Sequence, residues 1–71
     1  MTTYNEIATT ADRRFQAMCR RELGEDLYIT LVTIASKEFQ KGLKEPNENK
    51  RENTARRMAN MVFTKALMKK V

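Results

Sequence analysis

DLYITLVTIASKEFQKGL, residues 26 to 43, carries apolar side chains around most of a helical wheel. Leu27, Tyr28, Ile29, Leu31, Val32, Ile34, Ala35, Phe39 and Leu43 leave a narrow polar strip of Thr30, Thr33, Lys37, Gln40 and Lys41, and only Ser36 and Glu38 interrupt the apolar arc. A helix with so wide an apolar arc needs cover on two sides, so the segments before and after it should both pack against it. The expectation is an all-α fold, a compact three-helix bundle with this stretch as its middle member.

Before it, Thr3 and Glu6 have the spacing of a capping box, in which a threonine oxygen accepts from the third helical amide and the glutamate reaches back. Tyr4, Ile7, Ala8, Ala11, Phe15, Met18, Cys19 and Leu23 then recur at three- and four-residue steps. A first helix from Tyr4 to Leu23 follows, with Gly24 placed to end it as a left-handed cap. Thr9 and Asp12 offer a second start, which would leave the first turn or two frayed. Arg13, Arg14, Arg20 and Arg21 form a basic ribbon along the outer face of this helix.

Glu25 and Asp26 favour the positive end of the next helix dipole, so the second helix, Asp26 to Lys44, starts almost at once. So tight a connection makes the first two helices antiparallel neighbours. Pro46 disfavours helical geometry at Glu45, and Asn47 or Asn49 can cap a third helix from Lys50 to Lys69. Its main apolar face holds Ala55, Met58, Ala59, Val62, Phe63, Ala66 and Leu67. Met61 and Met68, one heptad apart among Arg57, Thr64 and Lys65, fall on the other side and should face outward.

Seventy-one residues without repeat or low-complexity segment make one domain, residues 1–71. A chain this short buries only about 60% of the surface it exposes when unfolded. No disulfide can form within it because Cys19 is alone, and the lack of histidine or a second cysteine leaves nothing to build a zinc site. Dimerisation is the remaining common route to extra burial. A single free thiol, an N-terminal Met-Thr-Thr-Tyr-Asn unlike a signal peptide, and no apolar run near the roughly 20 residues of a membrane span predict a soluble, cytoplasmic protein.

The net charge of +5 is unevenly divided. From Lys50 onward seven lysines and arginines face Glu52 alone, a local charge of +6, which leaves the first 49 residues at −1. The excess is confined to the last helix.

Enzymatic catalysis is the class these residues favour least. Histidine is missing, Ser36 is the only serine, and two glycines make no phosphate-cradling loop. Cys19 would be a nucleophile only if Arg20 and Arg21 lowered its pKa; at the edge of the apolar stripe it reads better as small core filler. Glu38 stands on the flank of the second helix's apolar arc, where a lone carboxylate is costly to bury. It calls for a rim position or a salt bridge to an arginine of a neighbouring helix, or else it sets the register of an interface.

No catalytic, cofactor-binding or metal-binding residue is assigned. The leading expectation is a small cofactor-free binding protein, of adaptor, regulator or inhibitor type, that docks on another protein or on a second copy of itself. Its candidate surface is the basic, methionine-bearing outer face of the third helix: Arg56, Arg57, Met61, Lys65, Met68 and Lys69. Methionine suits such adaptable surfaces. The alternative is a nucleic-acid-binding module in which the same basic face meets phosphates, with Arg13, Arg14, Arg20 and Arg21 as a secondary basic face. Against sequence-specific recognition, the aromatics Tyr4, Phe15, Tyr28, Phe39 and Phe63 all lie on apolar stripes and read as core. A structural homo-oligomer ranks third.

Overall fold

A computed structural model gives the structure of residues 3–70. Met1, Thr2, Val71 and the side chain of Lys70 lie outside the described residues, so the signal-peptide reading of the N-terminus and the share of Lys70 in the basic charge rest on sequence. The chain is all-α, with no strand among the described residues, and it forms four helices: α1 (Tyr4–Ile7), α2 (Thr10–Leu23), α3 (Glu25–Gly42) and α4 (Glu48–Lys70). Three long helices make the bundle, and α1 is a single turn before it.

The single long first helix expected from Tyr4 to Leu23 is broken. Ala8 and Thr9 have extended backbone, with ψ of 132° and 171°. Two potential caps compete here, and only one makes both of its bonds. The Thr9 hydroxyl accepts from the Asp12 amide at 3.1 Å, and the Asp12 carboxylate accepts from the Thr9 amide at 2.9 Å. At the other, the Thr3 hydroxyl donates to the Glu6 carboxylate at 3.2 Å and caps no backbone amide. The complete capping box sets the start of α2.

Gly24 ends α2 and begins α3 in one residue. Its φ of 87° and ψ of 157° lie in a region that side chains with a Cβ essentially do not enter, extended and not the left-handed helical cap expected. Its amide donates to the Arg20 carbonyl at 3.1 Å, and its own carbonyl accepts from the Tyr28 amide at 3.0 Å. The turn between helices needs no further residue. At the other end, Asn47 is the residue that caps α4, its side-chain oxygen accepting from the Asn49 amide at 2.9 Å.

α3 and α4 run antiparallel: Gly42 lies against Ala55 at one end, and the Tyr28 ring stacks on Phe63 at 5.6 Å towards the other. Leu31, Ala35 and Phe39 of α3 bury against Ala55, Ala59 and Phe63 of α4, and Cys19 of α2 completes the core. Small residues let the two helices approach closely. α3 packs chiefly on α4, and α2 lies more loosely across the pair. Phe15 of α2 meets Phe63 edge-on at 6.5 Å, and Tyr4 of α1 meets Phe39 at 5.8 Å. All five aromatic side chains belong to the core or pack against it, as their positions on apolar stripes imply.

The expectation that α3 is covered on both sides is corrected. Leu27, Ile29, Val32 and Ile34 are all exposed. The physical reason lies in the first segment. With α1 reduced to one turn and α2 starting only at Thr10, too little helix precedes α3 to cover a second flank. The apolar arc extends past the buried stripe on both sides; Ile29 and Val32 wall one groove, and Glu38, on the flank of Leu27 and Ile34, borders a second.

Candidate docking surface

Along α3, Leu27, Ile34 and Glu38 fall on one flank at seven- and four-residue steps. Across from this flank, α4 presents Met58, Met61 and Val62, which with Thr54, Arg57, Lys65 and Glu38 line a groove of about 420 Å³. Met58 and Val62 are half-buried on the edge of the core, whereas Met61 is 49% and Met68 71% exposed. Both methionines face outward as their heptad spacing implies. Met61 lies not on an isolated outer stripe but on the lip of this groove, continuous with the core edge through Met58.

The second overhang of α3 carries Ile29, Val32 and Ser36. Together with Tyr4 and Asn5 of α1 and Gln16 of α2, it walls a groove of about 380 Å³ whose floor reaches the buried Ala35, Ala59 and Phe63. No charged residue lines it, and none of the residues assigned from sequence lies in it.

The basic residues separate into committed and free groups. Arg56 does not belong to the outer face. Its guanidinium turns inward, with Nε 2.9 Å from the Asp12 carboxylate and Nη1 donating to the Asn53 side-chain oxygen at 3.2 Å. The Nε contact is an ion pair without a hydrogen bond, because the N–H is not aimed along it. Arg20 is held by two bonds to Glu25 and lies 5.7 Å from the centre of the Tyr28 ring, and Arg13 donates to the Asn5 carbonyl at 3.0 Å. Hydrogen bonds from Arg20 hold the Glu25 carboxyl below its ordinary value. Arg14 and Arg21 are exposed, so the secondary basic face keeps two of its four members unengaged. On α4, Arg57, Lys65 and Lys69 are exposed and make no ion pair with another described residue. They interleave with Met61 and Met68 and form no unbroken cationic strip.

Glu38 takes neither arginine of a neighbouring helix. It is half-buried at the groove wall and pairs with Lys41, one turn along its own helix, at 3.2 Å. Cys19 is fully buried, and burial pushes its thiol pKa up. Arg20 and Arg21 point to solvent and do not lower it, so the core-filler assignment describes its place.

One polar network was not foreseen from sequence. Asp12 is buried, and its carboxylate accepts from the Thr9 amide and from the Asn60 side-chain amide at 3.0 Å besides facing Arg56. Asn60 in turn accepts from the Tyr4 hydroxyl at 2.6 Å, which ties α1, α2 and α4 together. Burial opposes the Asp12 charge, but the Thr9 amide, Asn60 and Arg56 together outweigh it and hold its carboxyl below the ordinary value. The Tyr4 hydroxyl, desolvated and beside the Asp12 carboxylate, is pushed up to about 12.

The lowered Asp12 pKa sets the sign of a pH effect. The stabilisation is fully present above the unfolded aspartate value of about 4 and is lost as pH falls through the lower folded value. Stability measured by urea denaturation should therefore decline below about pH 4, and Asp12→Asn should flatten that decline. Glu25 leaves a residual slope, since its carboxyl is also held down. At neutral pH, Asp12→Ala should cost about 1–3 kcal/mol by stranding Asn60 and Arg56. An unchanged acid profile in Asp12→Asn would show that the Thr9 amide, Asn60 and Arg56 do not hold the Asp12 carboxyl down in solution.

Among the described residues there is no helix long and apolar enough to cross a membrane and no group of three metal-ligating side chains. Comparison with known proteins finds no matching family model, no matching curated protein and no matching solved structure.

Proposed function

We propose that the protein is a small cofactor-free binding module that docks on another protein through the groove between α3 and α4. The observation that carries this is the placement of Met58, Met61 and Val62 in one groove, faced by Glu38 of α3 and edged by the unpaired Arg57 and Lys65. Exposed apolar surface with a polar rim is the usual form of a protein docking site, and methionine adapts to the partner's shape. The residue types support binding over catalysis, with no histidine, one serine and a buried thiol as the sole cysteine. That thiol also suits a reducing, cytoplasmic setting.

A nucleic-acid role draws on the same cations but has less to use. Arg56 is engaged by Asp12 and Arg20 by Glu25, and the remaining cations of α4 alternate with methionines. Phosphate contacts need no such apolar partners. A homo-oligomer would use the same groove and is separated by its stoichiometry.

The test is capture from lysate of cells that make the protein, with and without nuclease treatment, using the unmodified chain and Met61→Glu/Met68→Glu as bait. Both methionines lie outside the core, so the double variant should keep its helicity and melting temperature while losing the captured protein. Equal capture by both baits would place the docking face elsewhere. Capture that disappears on nuclease treatment would favour the phosphate-binding alternative.

A further inference from the structure

Given the docking role proposed above, we infer that the groove between α3 and α4 receives an acidic amphipathic helix of a different protein. The groove has the form of a helix seat. Its α4 wall runs from Thr54 to Lys65, twelve residues, with Glu38 of the antiparallel α3 facing it. At the rise of an α-helix that is about 16 Å, the length of three turns. Met58, Met61 and Val62 supply the apolar lining of the seat, and Ile34 and Leu27 are exposed further along the same flank of α3 that carries Glu38. A helix laid there would anchor residues spaced by three and four.

The charge at the rim selects the occupant. Arg57 and Lys65 stand on the α4 lip and Lys69 lies one turn beyond it, none ion-paired within the described structure. On the α3 wall Glu38 is neutralised by Lys41, whose own side chain is largely exposed. The rim is therefore cationic on one side and nearly neutral on the other. A second copy is a poor match. A two-fold pairing of this face would set the α4 cations against one another, with one already paired carboxylate per chain to oppose them, and like charges across an interface are costly. A helix with glutamates or aspartates beside its apolar stripe meets both features of the groove at once.

The test uses two synthetic peptides of the same helical pattern, each with leucines spaced by three and four and a fluorophore at one end. One carries glutamates on the flanking positions and the other lysines. Fluorescence anisotropy against the full chain should show saturable binding of the glutamate peptide, at least about tenfold tighter than the lysine peptide and weakened by salt. Arg57→Glu/Lys65→Glu should reverse the preference, while Met61→Glu/Met68→Glu should weaken the glutamate peptide by about tenfold or more. A glutamate peptide lacking the leucines should not bind.

Equal affinity for the two leucine peptides, or binding of neither, overturns the acidic-helix inference. It leaves the docking role standing if the methionine double variant still loses the captured protein. Binding of the glutamate peptide unaffected by the methionine substitutions overturns the groove as its seat, and equal capture by the double variant then removes the docking role as well. A dimer in sedimentation equilibrium that dissociates on Met61→Glu/Met68→Glu would identify a second copy as the occupant and overturn the inference.

Discussion

Gly42→Ala is expected to lower stability by about 3 kcal/mol, the upper end of what overpacking costs, although alanine is the better helix former by about 1 kcal/mol. Gly42 is the last residue of α3, buried, and free of any positive φ that would require glycine. What requires glycine is the neighbouring helix. A methyl group there would overlap the Ala55 Cα, far inside van der Waals contact, and lie 2.8 Å from its backbone nitrogen. Backbone cannot rotate aside as a side chain can, so α3 and α4 would have to part at the hairpin end. The double variant Gly42→Ala/Ala55→Gly tells the two causes apart. It removes the Ala55 methyl but not the backbone atoms, and so should recover little of the lost urea midpoint. A Gly42→Ala chain as stable as the unmodified protein would mean that the helices do not approach this closely.

That close approach bears on what the sequence could disclose. The helical period located α3 and α4 to within a few residues, because a wide apolar arc and the stripe of Ala55, Ala59 and Phe63 are local patterns. Met61 and Met68 were legible as outward-facing for the same reason. Gly42 looks like a fading helix end in one dimension, and only the juxtaposition with Ala55 gives it a packing role. The break at Ala8 was present as a second capping signal, but choosing between two threonines depends on Asp12 being held by Asn60 and Arg56 from 48 and 44 residues away along the chain. The same long-range pairing takes Arg56 off the outer face. An arginine on a helical wheel has an angle but no partner. The exposed flanks of α3 were hidden differently: apolar periodicity registers how much surface a helix offers for burial, not whether its neighbours are long enough to take it. The α4 side of the groove, Met58, Met61 and Val62, was legible as a local pattern and Glu38 stood out as a carboxylate on an apolar flank, but that the two face one another depends on the packing of α3 on α4.

Phe63→Ala should cost about 3–5 kcal/mol, the usual range for emptying an aromatic site in a core. A chain of this length has a total stability on the order of 4–11 kcal/mol, so the loss takes a large share of it. Phe63 is 2% exposed and touches every long helix: it lies on α4, stacks on Tyr28 of α3 and meets Phe15 of α2 edge-on. The α3–α4 pair retains Phe39, Leu31 and the small-residue seam of Ala35, Ala55 and Ala59 without it. α2 retains less, since beyond Cys19 its inward apolar residues are only half-buried and its other buried side chain is the polar Asp12. The loss should therefore fall first on α2. Amide exchange in Phe63→Ala should show α2 opening at a lower free energy than α3 and α4, together with a melting temperature well below that of the unmodified chain. Phe63→Leu keeps most of the volume and gives up chiefly the ring contacts, so it should cost roughly 1–2 kcal/mol and leave α2 protected. Were α2 to stay as protected as α3 in Phe63→Ala, its attachment would rest on the Asp12, Asn60 and Tyr4 network, and the aromatic contact would be secondary. Repeating the exchange on Asp12→Ala decides between these two anchors, because only the helix's true attachment, when removed, exposes its amides ahead of the rest.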